Sequence, residues 1–338
     1  MLAIEIYRWP TSDCNGGVSP RGTLLRGQSI IEYVLIIAVI GLVIAFAGPG
    51  VAGAIHNQFN LVGNTVNSGT GAGTEGGGAS GGGSTGADSA TVQAAVVKDA
   101  KDWTLGEQKA VAEDIAAKGE ASPAYAKAKA AMDAGIKFSM ELTDGRTLRY
   151  RIIGINHDDL VDGSGKAGLT FLTTSNSFAS RVNATDTNAG GWEKSELRKE
   201  MNSGEIWNLM PVDFQSKVKA VKKLTNNVGG GSANKNAAVT ATSDRLFLLS
   251  YSEIVETPYS DWSDYSWIGQ EGTQYEAFKG KVMNSHSGNP AIATGGGSWE
   301  RSVLPDNSVR FLYVDNHGTP SSNIFASSYG YVCPAWCF

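Results

Sequence analysis

Cysteine and histidine are scarce in this sequence, with three Cys (Cys14, Cys333, Cys337) and four His in 338 residues. Three thiols are too few for a disulfide scaffold or a four-ligand zinc site, and scattered imidazoles do not supply the missing ligands. Charge is also thin. Asp, Glu, Lys and Arg make up 18% of the chain, and 28 basic residues are outnumbered by 33 acidic ones. A net charge of -5 argues against a surface that neutralises nucleic-acid phosphates. Long apolar runs are missing apart from one, which excludes a multipass transporter. Glycine is in excess, at 42 residues, and is gathered in clusters, so it marks joints rather than a collagen-like period. Eight Trp, 11 Tyr and 11 Phe are enough to build a core, and the length fits roughly two folded units.

The single apolar run follows a short, weakly basic leader. Residues 1–27 carry Arg8, Arg21 and Arg26 against Glu5 and Asp13, and residues 33–74 hold no Lys, Arg, Asp or Glu. A helix over 30–47, at ~1.5 Å per residue, reaches about 27 Å and matches a hydrocarbon core. It ends at Gly48-Pro49-Gly50, because Pro49 cannot donate to the carbonyl of Ala45. A secretory signal peptide places its cleavage site after the apolar run. This run instead carries an acid, Glu32, near its start, which describes a single-pass anchor with one odd carboxylate.

Residues 69–87 form a Gly/Ser/Thr linker whose flexible coil spans about 25 Å. Residues 88–136 read as a short helical stalk, or as small helices packed on a neighbour. Thr104 opens a capping box with Glu107, Gly119 follows the helix, and Ser122-Pro123 starts another that Gly135 ends. From 137 the period falls to two. Phe138, Met140 and Leu142 alternate, Asp144-Gly145 supplies a hairpin turn, and strands are expected at 148–155, 169–173, 245–250, 309–314 and 331–334. Helices are expected at 192–202 and 212–224. The fold class is therefore α+β, with a folded domain over 137–338.

The order R-G-Q-S-I-I-E-Y over 26–33, followed by an apolar helix, resembles a type IV prepilin site of the Flp (Tad) class. The resemblance covers about 26–60 and implies a leader 1–27, a pilin helix 28–68 and cleavage by a prepilin peptidase after Gly27. Gln28 then becomes the mature N-terminus, and Glu32 and Tyr33 take the assembly positions. A carboxylate in hydrocarbon costs several kcal/mol unless it is partnered. The amine of Gln28 on one subunit supplies that partner for Glu32 of another and fixes their register. Flp pilins are usually short, so a long mature chain points to a minor or adhesin-bearing subunit.

The stretches 149–158, 191–202, 242–255, 298–302 (SWERS) and 331–338 (YVCPAWCF) together resemble bacterial surface domains related to C-type-lectin-like and formylglycine-generating-enzyme-like folds. Where that family tends to end in G-V-R-P-A, Cys333 replaces the Arg. Cys333 and Cys337 echo the thiol pair of the enzymes, but no acid/base or metal constellation accompanies them, so catalysis is not expected. They read as structural thiols or as a turn-closed bridge. Calcium-type sugar sites need motifs that 304–307 only partly echoes, and no cofactor is expected. Asp158, Asp159 and Asp162 before Gly163-Ser164-Gly165 read as a solvated turn or a cation loop. Trp192, Trp207 and Trp299 read as core. Tyr259, Trp262, Tyr265 and Trp267, interleaved with Ser and Asp, read as ordinary packing or an exposed binding loop.

In the tail 306–331, 14 of 26 residues are Asn, Asp, Ser, Tyr or His, and none is Lys or Glu. Tyrosine among small polar residues is the composition of a rigid yet adaptable binding surface. It also resembles the variable regions of diversity-generating retroelement targets. The candidate ligand-binding residues are Asp306, Asn307, Tyr313, Asp315, Asn316, His317, Ser321, Asn323 and Tyr329; the alternative is an ordinary set of polar loops. The resemblances imply a pilus-associated adhesin, made as a membrane precursor and displayed outside the cell. Its partners are a prepilin peptidase, other pilin subunits, the membrane and an extracellular glycan or protein ligand, with no nucleic acid. A membrane-anchored binding protein outside any filament and a surface enzyme of the formylglycine-generating type are the alternatives. The cleavage reading predicts that N-terminal sequencing of the mature protein starts at Gln28 and that Gly27→Ala leaves the precursor uncut. A mature N-terminus beyond Ala47 would identify a conventional signal peptide instead.

Overall fold

The computed structural model describes residues 88–283, 288–292 and 296–338. The leader 1–27, the helix 28–68 and the linker 69–87, with Gly27, Gln28, Glu32 and Tyr33, lie outside the described residues. No helix among the described residues is long and apolar enough to cross a membrane. The described chain is mixed α+β.

Three helices come first: α1 (Ser89–Val97), α2 (Leu105–Lys118) and α3 (Tyr125–Asp133). The Thr104–Glu107 capping box forms in both directions, with N–H···O distances of 3.2 and 2.8 Å, and Gly119 leaves α2 at φ 57°. α3 starts two residues beyond Pro123, because Ser122 spends its hydroxyl on a turn that accepts from the Ala124 N–H. This segment does not stand off as a stalk. Trp103 stacks on Phe138 at 6.2 Å, and the Tyr150 hydroxyl donates to Gln108 at 3.1 Å. The Ala112 carbonyl sits where a Cβ on Gly168 would be, 1.8 Å away. Alanine-lined helix faces permit that approach, and Ala95, Ala110, Ala112 and Ala128 are all buried in the same core as the strands.

One sheet has the order β1-β2-β3-β11, all antiparallel: β1 (Phe138–Glu141), β2 (Thr147–Ile155), β3 (Leu169–Thr173) and β11 (Ala335–Cys337). Asp144-Gly145 closes the β1–β2 hairpin, with Gly145 at φ 83°. Tyr150, Phe171, Trp336 and Phe338 fill its inner face, and the Trp336 ring lies 4.8 Å from Tyr150. A second sheet has the order β4-β10-β7-β8-β9: β4 (Phe178–Ser180), β10 (Gly330–Val332), β7 (Ser298–Val303), β8 (Arg310–Val314) and β9 (Ser322–Phe325). Only β10 and β7 run parallel in it.

Between these lie α4 (Glu196–Asn202), α5 (Glu205–Leu209), α6 (Val212–Gln215), the β5 (Val221–Asn226)–β6 (Val239–Asp244) ribbon and α7 (Tyr251–Ile254). The helix expected over 212–224 stops at Gln215, and 221–226 is a strand. Its inward positions are Val221, Lys223 and Thr225, and a buried lysine there disguises the period of two. The strand expected over 245–250 does not form: 245–246 is a bend, and a single bridge ties Phe247 to Ala335 of β11 by two hydrogen bonds.

Every residue of β7 is buried. Trp299 is 3% exposed, donates its indole N–H to the Ser180 carbonyl at 2.8 Å and meets Tyr313 edge-on at 5.6 Å. Trp299→Ala should therefore cost roughly 3–5 kcal/mol in chemical denaturation, as core aromatic truncations do. A cost below about 1 kcal/mol would remove Trp299 from the core.

Candidate ligand-binding surface

From β7 to the chain just beyond β2 runs a series of four buried charges that alternate in sign. Arg301 on β7 makes a two-pronged contact with Glu253 on α7, at 2.5 and 2.9 Å. Its remaining donors go to Thr225 and to the carbonyls of Leu224, Leu248 and Glu271. Glu253 meets Lys223 of β5 at 2.5 Å, and Lys223 meets Asp158, just beyond β2, at 2.6 Å. Thr170 and Tyr275 donate their hydroxyls to Asp158 at 2.6 and 3.0 Å. Burial works against ionisation of Asp158, yet the Lys223 ammonium holds its carboxyl well below the usual carboxylate range. Burial opposes Glu253 likewise, and Arg301 and Lys223 outweigh it. Such a chain is stable only when every member is paired. The sequence marks it faintly, through the R-S of SWERS and a lysine on an inward strand position.

Two further acids beside this chain are not paired with cations. Burial pushes Glu271 up to about 7, against the hydrogen bonds it accepts from Ser302 and the Asn226 N–H. Glu300, 1% exposed, has no hydrogen-bond partner at either carboxyl oxygen, and burial pushes it well above the usual range.

Six of the nine tail residues fall into two turns, and Tyr313, Asn323 and Tyr329 lie on β8, on β9 and just before β10. Asp306 and Asn307 lie in the β7–β8 turn, whereas Asp315, Asn316, His317 and Ser321 lie in the β8–β9 turn, at the opposite end of β8. Five strand residues put those ends ~15 Å apart. Asn307 builds its turn: its side chain accepts from the Val309 N–H at 2.9 Å, and its carbonyl accepts from Asn188 at 2.7 Å. Asp315 builds the other, accepting from the His317 and Thr319 N–H groups at 2.8 and 2.9 Å. Burial alone would raise its carboxyl, but those N–H groups and Ser322 keep it low. Asn323 accepts from Arg310 at 2.8 Å, and the guanidinium lies 4.1 Å over the Phe325 ring. Asn316 and His317 are exposed, and Tyr329, in the link to β10, is 74% exposed.

At the β8–β9 end the tail composition becomes a surface. Tyr313 lies over Gly297 and Tyr331 over Gly296; a Cβ on either glycine would fall 2.0 or 2.3 Å from the ring above it. Burial raises the Tyr313 phenol, and neighbouring Tyr331 and Asp315 add to the effect. Tyr313, Tyr331 and Asp315 thus share one end with Asn316 and His317. Tyr331 is absent from the sequence-derived set, although the Gly296-Gly297 pair is the signal that could have found it.

The other sequence candidates resolve differently. Trp262, Tyr265 and Trp267 are buried and Tyr259 is half-buried, so 259–267 is not an exposed binding loop. The aromatic rings take the place of the missing aliphatics, and Trp262 meets Tyr251 and Tyr259 edge-on at 5.2 and 5.1 Å. Asp158 points into the charge chain, Asp159 pairs with Lys166 at 3.0 Å, and Asp162 caps its own turn through Ser164. No group of three or more His, Cys, Asp or Glu able to hold a metal occurs among the described residues. Cys337 is a thiol and not half of a bridge; it rests 3.4 Å from Thr170, and burial raises it far above the ordinary thiol range. A cleft of about 470 Å³ opens beside α7, lined by Ser252, Glu256, Thr273, Gln274 and Lys279 among others, and no tail residue lines it.

A family model described as a domain of unknown function (DUF6273) matches residues 167–338, from just before β3 through β11. No curated protein and no solved structure matches the chain.

The unpartnered Glu300 carries a pH signature. The folded state keeps its proton at pH values where the unfolded chain, titrating near the ordinary 4.5, has lost it. Its contribution to stability therefore falls as pH rises above that value. Glu300→Met removes the orphaned carboxyl at similar volume. It should stabilise the protein by ~1–3 kcal/mol at pH 7 in chemical denaturation, with a smaller gain near pH 4. Destabilisation across the whole pH range would show that the carboxyl has a partner.

Proposed function

The chain belongs to the DUF6273 family, and from that premise we propose that it is a pilus-associated adhesin. In this reading an Flp-class pilin segment, cut after Gly27, carries a lectin-like binding domain outside the cell. The pilin part is supported by the offsets within R-G-Q-S-I-I-E-Y and by the uncharged helix that follows. The lectin-like part is supported by the five-stranded sheet whose turns hold the polar tail.

The binding part rests on one observation: Tyr313 and Tyr331 lie on a glycine floor above a wholly buried strand, next to the exposed Asn316 and His317. Tyrosines whose backbone support is fixed lose little entropy on binding, and the Asn and His beside them adapt their hydrogen bonds to the ligand. The ligand class is a glycan or a protein surface. Turnover has less support, because the charged side chains of the interior are consumed by one another and the Cys337 thiol is held protonated. The split between buried flanks and polar turns also suits a segment that varies in sequence while the fold persists. That supports the likeness to retroelement-diversified domains.

A two-ended variant set tests the assignment. Asn316→Ala, His317→Ala and Tyr331→Ser combined should weaken attachment to target cells or glycan arrays by at least about tenfold, which is ~1.4 kcal/mol. The Tm should barely move, since exposed substitutions cost within about 0.5 kcal/mol. Asp306→Ala, in the turn at the opposite end of β8, should leave attachment intact, and EDTA should have no effect. Full attachment by the triple variant, or its loss only in Asp306→Ala, rejects this end of the sheet as the binding surface.

A further inference from the structure

The Lys223–Asp158 contact has the composition of a reaction site as well as that of an ion pair. The two residues stand 65 positions apart in sequence, and their side chains are 2% and 3% exposed. The Lys223 ammonium touches the Asp158 carboxylate at 2.6 Å and the Glu253 carboxylate at 2.5 Å. It also lies 4.2 Å over the Phe247 ring, and Phe247 and Tyr275 are both fully buried. We propose that Lys223 and Asp158 condense in the folded protein to an intramolecular amide, with Glu253 as the proton carrier, so that β5 is covalently tied to the end of β2.

The atoms balance without any co-reactant. The Lys223 ammonium passes one proton to Asp158 Oδ1, leaving an amine and a carboxylic acid. The amine lone pair attacks Asp158 Cγ, forming the N–C bond. Negative charge develops on Oδ2, which faces the hydroxyls of Thr170 and Tyr275 at 2.6 and 3.0 Å. Donors placed in advance where charge develops lower such a barrier. The new bond's nitrogen gives a second proton to Glu253, and Glu253 delivers it to Oδ1. The Cγ–Oδ1 bond breaks and one water leaves. Nothing is oxidised or reduced.

Glu253 is the wrong electrophile and a suitable carrier. Both of its oxygens are held by the Arg301 guanidinium, and one also accepts from the Ser250 N–H, so it rests as an anion, and Oε1, 2.5 Å from the Lys223 nitrogen, takes the proton only in passing. Asp158 is held, apart from Lys223, only by neutral donors: Thr170, Tyr275 and the Cys337 thiol. The charge count closes in either state. Before condensation Asp158 and Lys223 cancel, as do Glu253 and Arg301; afterwards the second pair remains and the first has become a neutral amide. Removing two charges from a dry interior also removes their desolvation cost. Reactants held in contact reach effective concentrations on the order of 10⁵–10⁸ M. Burial opposes both ions, yet each holds the other charged. The first proton transfer is therefore uphill, and condensation is a slow maturation step that happens once.

Mass spectrometry of the folded full chain decides the matter, after ageing, denaturation and digestion. The expected result is an intact mass lighter by one water. The peptides holding residues 158 and 223 should be recovered as one branched species, with trypsin failing to cut after Lys223. Glu253→Gln, which keeps the shape but cannot carry the proton, should leave the two peptides linear. If that variant does not fold, the wild-type digest still gives the answer. Separate linear peptides from aged wild-type protein, a bond to Glu253 instead of Asp158, or the same bond in chain kept denatured from synthesis would each overturn the proposal.

Discussion

Four buried charges, Asp158, Lys223, Glu253 and Arg301, constrain this molecule more tightly than any apolar contact does. Each comes from a different place in the chain: the end of β2, β5, α7 and β7. An apolar core tolerates small slips, because a shifted methyl group still finds neighbours. A buried charge that loses its partner is left with its full desolvation cost, several kcal/mol, so the four elements must arrive in one register. Arg301 extends the constraint to the backbone by donating to three carbonyls, those of Leu224 on β5 and of Leu248 and Glu271 from two further segments. The order of the second sheet is set from its middle strand outward.

That constraint separates scaffold from surface. β7 is locked from beneath and buried throughout, so its neighbours β8 and β10 present side chains from a fixed platform. The glycines at 296, 297 and 330 extend the platform sideways, because a Cβ at any of them would collide with Tyr331, Tyr313 or Trp299. Tyr313 and Tyr331 are therefore positioned by backbone rather than by other mobile side chains. Asn307, Asp315 and Asn323, although polar and in the tail, spend their side chains on turns and on Arg310. Composition alone cannot distinguish a polar residue that shapes a loop from one the loop offers to a partner.

Local chemistry was legible in the sequence wherever a single local rule decided the outcome. The Thr104–Glu107 box, the Asp144-Gly145 turn, the β3 strand at 169–173 and most of β8 all follow from side-chain capping, positive φ or a period of two. The β5–β6 ribbon was not legible, because its pattern depends on a lysine facing inward, and only a partner from a distant element makes that position tolerable. The same reason hid the charge chain: its members are unremarkable singly and acquire meaning only in contact. The aromatic run 259–267 was ambiguous for the opposite reason. Rings that lack aliphatic neighbours in sequence pack on one another and join the common core.

Glu271 and Glu300 complete the physical picture, because they sit next to a charge chain that is already balanced. Ionising either adds a negative charge that no cation among these groups is left to neutralise: Lys223 is shared between Asp158 and Glu253, and Arg301 is committed to Glu253. Burial accordingly keeps Glu300 protonated and draws Glu271 up to about 7. Ser302 donates to Glu271, and the Ser302 hydroxyl in turn accepts from the Tyr251 N–H, so a charge arriving at Glu271 is felt along β7 and at the start of α7. The strand under the tyrosine platform thus shares a hydrogen bond with a carboxyl that burial pushes up to about 7. A carboxyl raised by burial contributes less to the stability of the fold as pH rises past its ordinary value. The interior charge balance and the placing of the strand that carries the exposed surface are in this way two consequences of one set of buried groups.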